Sequence, residues 1–241
     1  MSYPFAIRGA PGDEYIQGTT KLHQLGTLMA THDGRKFRYA KAGELLVCGE
    51  SLQGPDEEVE VDLTVAAGTL GDQFISVTGK GTEAKDFYQD GYIYINLPGS
   101  TQVRLYQVAS HAVLAISAGH KINITDSRGV QNTLIGDEEA TLQANPFDGV
   151  ITNAGSTDSG FAGIAVEDIA SGSYGWVQTG GVCAASANTA MAEAEAVTSF
   201  SGAAGKVDIR GAVTELVIGY CFRGQTGTGT LETSLIFLTV D

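Results

Sequence analysis

Glycine divides this chain into short segments, which limits the fold to elements of a few residues each. The 241 residues include 32 glycines but only five prolines, and the segments between glycines are rich in valine, isoleucine, threonine and tyrosine. β-Branched and aromatic residues favour strands, and glycine favours the tight turns that join them. In one such segment Val59, Val61, Leu63 and Val65 alternate, so all four side chains share one face of a strand. The pattern predicts an all-β protein.

The arrangement of these segments predicts three regions. We expect a Gly-rich antiparallel β-sandwich or barrel-like architecture with an extended N-terminal arm. Residues 1–21 form the arm, since Pro4 and Gly12 interrupt any regular element there. Residues 22–150 form a β-rich region, and residues 151–241 form an acidic β-rich region packed with it. The first residues lack the apolar core of an export signal, and no apolar run approaches a membrane span, so we expect no membrane partner.

The most distinctive local feature is a basic hairpin, HDGRKFRYAKAGE, at residues 32–44. Its Asp-Gly turn between two alternating segments is a strong hairpin signal, and it carries four of the fourteen basic residues with two aromatics between them. Such a pattern could follow single-stranded nucleic acid. However, the net charge is −14, and residues 129–205 hold nine acidic residues and no lysine or arginine, so the protein should repel polyanions. We therefore expect no nucleic-acid partner and interpret the hairpin as a structural and protein-docking element.

The arm and the hairpin together supply the predicted docking residues. Trp176, the only tryptophan, is predicted to be a buried anchor or a subunit contact rather than a platform for a sugar. The predicted docking residues, for contact with a partner protein or another subunit, are Tyr3, Phe5, Arg8, Lys21, Arg35, Lys36, Arg38, Tyr39 and Lys41.

The sequence shows no recognisable catalytic pattern. The four histidines lack the spacing of a zinc site, and neither a GxSxG elbow nor a phosphate-binding GxxxxGK[ST] loop occurs. The acidic run from Asp56 to Asp62 lacks the pattern of a calcium loop, and we interpret it as a solvated turn leading into a strand. We predict no catalytic, cofactor-binding or metal-binding residue, and hence a protein that is not an enzyme. A hydrolase with an unrecognised carboxylate pair is the minor alternative.

Several longer phrases resemble the structural proteins of tailed-phage virions. LGTLMATHDGRKFRYAKAGELLVCGESLQGP resembles their opening, and DGYIYINLPGSTQVRLYQV, NPFDGVI, YGWVQTGGVCA and RGAVTELVIGYCFRGQTGTGTLETSLIFLTVD resemble later segments, so the resemblance covers most of the chain. It implies a head decoration (cement) protein, made in the host cytoplasm, that binds the outer surface of a phage capsid and stabilises the shell. The implied partners are the major capsid protein and further copies of this chain, as a homotrimer at a lattice symmetry point. The alternative is a receptor- or carbohydrate-binding β module of a phage fibre or tail.

Overall fold

The protein is built almost entirely from strands. A computed structural model describes residues 6–55, 60–97, 103–155, 160–199, 201–224 and 233–241. These residues form seventeen strands and one 3-10 turn at Asp13–Tyr15, which confirms the predicted all-β class. No helix in this part of the chain has the length and apolar character needed to cross a membrane. The strands are β1 (Ala6–Arg8), β2 (Leu28–Ala30), β3 (Lys36–Ala42), β4 (Ser51–Gln53), β5 (Leu63–Val65), β6 (Phe74–Thr78), β7 (Tyr92–Asn96), β8 (Val103–His111), β9 (Gly119–Ile124), β10 (Glu139–Gln143), β11 (Asp148–Thr152), β12 (Phe161–Ala165), β13 (Tyr174–Ser186), β14 (Ala196–Thr198), β15 (Asp208–Ile209), β16 (Val217–Arg223) and β17 (Thr233–Thr239).

The strands belong to two compact units whose boundaries differ from the predicted regions. Unit 1 falls within residues 1–56 and 146–241, and unit 2 falls within residues 57–145. The predicted region 22–150 is therefore divided between the two units. The reason is that β11, which follows the inserted unit in sequence, pairs with β3 and β4, which precede it.

Unit 1 is a single eleven-stranded sheet. Its strand order is β1-β2-β3-β11-β4-β12-β13-β17-β16-β14-β15. Most neighbours are antiparallel, as predicted, but β1 pairs with β2 and β11 pairs with β3 in parallel. Because β3 also pairs with β13, the strands β3, β11, β4, β12 and β13 close into a ring. The long strand β13 therefore joins this ring to the β17-β16-β14-β15 end of the sheet.

The predicted basic hairpin is confirmed as the β2–β3 pair. Leu28 lies opposite Arg38, and Met29 lies opposite Phe37. The turn between the strands places Gly34 at φ 87°, a left-handed conformation that glycine adopts without strain. From Lys36 to Tyr39 the side chains alternate as the sequence indicates, so Phe37 and Tyr39 are buried while Lys36 and Arg38 are half-buried.

Unit 2 is a closed antiparallel barrel of six strands in the order β10-β5-β6-β9-β8-β7. Closure leaves no unpaired sheet edge, which suits strands of only three to nine residues. The barrel encloses one apolar core that includes Leu63, Val65, Ile75, Ile93, Ile122 and Leu142. Of the four alternating positions predicted to share a strand face, Leu63 and Val65 lie in this core, whereas Val61 is 45% exposed and Val59 lies outside the described residues. The prediction is wrong at Val61 because the left-handed backbone of Asp62, at φ 53°, interrupts the extended chain before β5 begins at Leu63.

The described part of the predicted N-terminal arm lies on the sheet of unit 1. Ile7 in β1 lies opposite Met29 of β2. Further along, Gly18 and Tyr174 exchange two backbone hydrogen bonds, with N···O distances of 3.0 and 2.8 Å. Backbone hydrogen bonds therefore join residues 6–18 to the sheet at both ends of this segment.

Candidate functional site

Arg35, predicted to dock on a partner, forms ion pairs within its own unit. Its Nη2 donates to Glu14 Oε1 at 2.8 Å, and its Nε donates to Asp33 Oδ2 at 2.8 Å. The Glu14 side chain is only 3% exposed, so this carboxylate depends on the guanidinium for its charge balance. The guanidinium also lies 5.4 Å from the centre of the Phe37 ring. Arg35 thus links the 3-10 turn to the hairpin.

Arg38 is also engaged within the protein. Its Nε and Nη2 donate to the two carboxylate oxygens of Asp241 at 2.7 and 2.6 Å, and its Nη1 donates to the Gly26 carbonyl at 2.9 Å. Thr179 Oγ1 donates to the same carboxylate at 2.6 Å. A bidentate pair of this kind fixes both side chains in one geometry. It connects β3 to Asp241, which lies two residues after the end of β17.

The other predicted docking residues are spread over unit 1. Lys41 forms an ion pair with Asp148 at 3.3 Å, and Tyr39 is 3% exposed. Lys21 and Lys36 are both half-buried, whereas Arg8 is exposed. Tyr3 and Phe5 lie outside the described residues. The hairpin therefore presents a largely neutralised surface, and the docking role of its charges stays a prediction.

Acid should weaken these ion pairs. Hydrogen bonds from Arg38 hold the pKa of Asp241 below its ordinary value, and hydrogen bonds from Thr31 and Arg35 do the same for the pKa of Asp33. A carboxylate with a lowered folded-state pKa adds stability above its unfolded pKa of about 4, and this is lost as pH falls through the folded value. We therefore expect the melting temperature to decrease when the pH is lowered past about 4. Asp241→Asn should melt lower at pH 7 and lose less stability on acidification. An equally steep loss in calorimetry would contradict this role.

Aromatic side chains from strands far apart in sequence line a cavity of about 200 Å³ in unit 1. Trp176 on β13 lies directly opposite Tyr39 on β3, and the two ring centroids are 5.0 Å apart. His23 packs at 5.0 Å from Tyr39 and 5.4 Å from Trp176. Tyr174 stacks on Tyr39 at 5.9 Å. We call this space the aromatic cavity; its polar lining comes from Asp13, Gln17 and His23.

Two polar side chains that line the aromatic cavity have no hydrogen-bond partner among the described residues. The Tyr39 hydroxyl accepts from the Leu22 N–H at 3.1 Å, so the fold already uses it. By contrast, no described residue hydrogen-bonds to the indole N–H of Trp176 or to the ring nitrogens of His23. Burial lowers the pKa of His23, so its imidazole is neutral at pH 7 and offers one donor and one acceptor.

The sheet of unit 1 has an apolar surface at its β17-β16-β14 end, which lies away from the basic hairpin in the strand order. Val182, Phe237, Tyr220 and Ala196 lie in one row across β13, β17, β16 and β14. The Tyr220 and Phe237 rings stack with centroids 5.3 Å apart, while Phe222, two positions along β16, is 52% exposed. A sheet face in contact with water usually carries polar side chains. We call this surface, defined by the row and Phe222, the outer face.

The carboxylates form local structural contacts. Glu60, predicted to lie in a solvated turn, is instead fully buried, and its oxygens accept the Lys80 N–H at 3.1 Å and the Gly81 N–H at 2.5 Å. Glu138 accepts the N–H groups of Ile135 and Gly136 in the same way. Across the described ranges, no group of three or more His, Cys, Asp or Glu side chains is arranged to hold a metal ion.

Sequence reasoning missed both the aromatic cavity and the outer face. The predicted anchor Trp176 is 5% exposed and packs with Tyr39 in one core cluster, whereas its predicted subunit contact stays a prediction. The alternation of Tyr220 and Phe222 could have indicated an apolar strand face, but only the pairing with β17 places Phe237 beside them. In comparisons with known proteins, no family model, no curated protein and no solved structure matches this chain.

Proposed function

We propose that this protein is a non-enzymatic virion component that binds the outer surface of a phage capsid and stabilises the shell. The resemblance of its sequence to tailed-phage structural proteins supports the virion assignment. The single structural observation behind the proposal is the outer face, an apolar surface on a paired and therefore rigid part of the sheet. Exposed apolar patches of this kind mark protein-interaction sites.

The proposed partner of the outer face is the major capsid protein. The charged hairpin is a weaker candidate for this contact, because Arg35, Arg38 and Lys41 already have acidic partners within unit 1. Aromatic side chains such as Tyr220 and Phe222 are typical of residues that dominate binding energy at interfaces. Contact through them should depend little on salt, since it removes apolar area from water rather than pairing charges.

Binding to capsid shells tests this proposal. Purified protein should co-sediment at near-physiological salt with shells that lack it, and failure to bind would refute the decoration role. Phe222→Ser should weaken binding by about tenfold or more, as expected for a central aromatic contact. Ile116→Ser is the matched control, because Ile116 is 65% exposed but lies in unit 2. Equal loss in both variants, or no loss in Phe222→Ser, would exclude the outer face as the docking surface.

Self-association as a homotrimer is part of the same proposal. A decoration protein at a lattice symmetry point gains avidity when several copies bind together. Sedimentation equilibrium of the free protein should therefore give three times the 25.1 kDa chain mass. If the free protein is a monomer that still binds shells, the proposed decoration role would hold but the proposed homotrimer would be refuted.

The receptor- or carbohydrate-binding module remains the second candidate function. One observation favours it, namely the aromatic cavity with its available polar groups. The two functions are compatible, since the cavity and the outer face use different residues of unit 1.

A further inference from the structure

The aromatic cavity combines apolar walls with polar groups in a way that restricts its ligand. Ligand sites in proteins are mostly apolar and contain a few fixed polar groups that orient the ligand. Here the walls are the rings of Tyr39, Tyr174 and Trp176, together with aliphatic side chains such as Met29. The cavity, at about 200 Å³, is smaller than the roughly 300–1,000 Å³ of sites for drug-sized molecules. It therefore suits a single small ring.

The hydrogen-bonding groups of the cavity call for a ligand that both donates and accepts. The Trp176 indole N–H is only a donor, so its partner must supply an acceptor. Asp13 is only an acceptor when ionised; its Oδ2 accepts the Ala10 N–H at 2.7 Å, which leaves Oδ1. Neutral His23 and the exposed Gln17 amide can each do both. Hydroxyl groups are the simplest ligand groups that satisfy all four residues.

Other ligand classes fit this lining less well. A purely apolar ring would bury the Trp176 N–H and the His23 imidazole without partners, at a cost of about 1–3 kcal/mol for each such group. A quaternary ammonium could lie against the aromatic rings. However, it carries no acceptor for the Trp176 N–H and no donor for Asp13. A hydroxylated ring with one C–H face matches both the walls and the polar groups.

We propose that the aromatic cavity binds one pyranose ring of a saccharide, with its C–H face against the aromatic walls and its hydroxyls hydrogen-bonded to Asp13, Gln17, His23 and the Trp176 N–H; this inference rests on the carbohydrate-binding function given above as the second candidate, and not on the capsid-binding one. The segment that supplies Asp13 and Gln17 is joined to β13 by the two Gly18–Tyr174 backbone hydrogen bonds, and both of these residues also line the cavity. The site is thus assembled from a fixed backbone segment and two paired strands, which favours a preformed geometry.

The probes are a glycan array and free monosaccharides. The array presents terminal glucose, galactose, mannose, rhamnose and N-acetylglucosamine, and the same sugars are then titrated free in solution. Trp176 is the only tryptophan, so its fluorescence reports directly on entry of a ligand into the cavity. We expect at least one sugar to bind and to change this fluorescence. Binding on the array but not in solution would identify the terminal sugar of a glycan chain as the ligand. Binding in both experiments would show that free monosaccharides are ligands as well.

Variants of the lining residues complete the test. Gln17→Ala removes an exposed side chain, and Trp176→Phe keeps a ring but removes the N–H donor. Each should weaken binding about fivefold, the equivalent of one hydrogen bond, as measured by calorimetry. Gln24→Ala is the matched control, because Gln24 is close in sequence but does not line the cavity. The proposal fails if no sugar binds at millimolar concentration, if choline binds instead, or if Gln17→Ala binds sugar as tightly as Gln24→Ala does.

Discussion

Gly219→Ala should destabilise the end of the sheet that carries the outer face. A Cβ atom at position 219 would lie 2.1 Å from the Phe237 carbonyl oxygen and 2.9 Å from its carbonyl carbon. These are backbone atoms of the paired strand β17, so no side-chain rotation can relieve the overlap. Strands β16 and β17 would have to separate at the register pair Gly219–Leu238. We expect a loss of about 3 kcal/mol or more and a melting temperature lower by roughly 10 °C.

Gly160→Ala is the matched control for this substitution. Gly160 also belongs to unit 1, and a Cβ atom there would have no atom of the described residues within 4 Å. Its effect should stay within about 0.5 kcal/mol, as is usual for surface substitutions. Hydrogen exchange should show loss of protection in β16 and β17 for Gly219→Ala only. Equal melting of the two variants would show that the approach of β17 does not limit position 219. Gly219→Ala should also bind capsid shells less tightly, because the outer face is carried by the strands that this substitution disrupts.

Local patterns in the sequence were sufficient for the fold class and for individual strands. Turn chemistry at Asp33-Gly34 and alternation along β3 correctly indicate the hairpin, because both depend on neighbouring residues. Alternation also predicted the burial of Leu63 and Val65 in the core of unit 2, although it failed at Val61, which is exposed. Register between distant strands has no comparable local signal. The parallel pairing of β11 with β3 therefore had to come from the structure, and with it the boundaries of both units.

The candidate sites depend on contacts between residues far apart in sequence. Tyr39 meets Trp176 only because β3 pairs with β13, and Arg38 meets Asp241 across 203 positions. Charge composition alone indicated a basic docking patch within an acidic chain. It could not show that each arginine of the hairpin has an acidic partner. The apolar nature of the outer face likewise depends on which strands are neighbours, since its residues come from four strands.

Arg35→Met should lower stability rather than capsid affinity. Removing the guanidinium leaves the Glu14 carboxylate, which is 3% exposed, without its ion-pair partner. The loss of one partner of a buried pair costs about 3–5 kcal/mol. Glu14 Oε2 still accepts the Gly12 N–H at 2.8 Å, so we expect the lower end of this range, about 3 kcal/mol. Calorimetry of unfolding at pH 7 measures this loss.

A second substitution separates the structural role of Arg35 from docking. Arg35→Met combined with Glu14→Gln removes the stranded charge, so the double variant should recover part of the lost stability. Arg8→Met is the control, because Arg8 is an exposed cation of the same unit. Compared at a temperature where all variants are folded, capsid binding should be equal in the three proteins and the wild type. If Arg35→Met kept its stability but bound shells less tightly, in a salt-dependent manner, the hairpin would be the docking surface and the ion pair with Glu14 would be dispensable. Because Glu14 is only 3% exposed, we expect the opposite result, in which Arg35 stabilises the fold by holding the hairpin to the 3-10 turn.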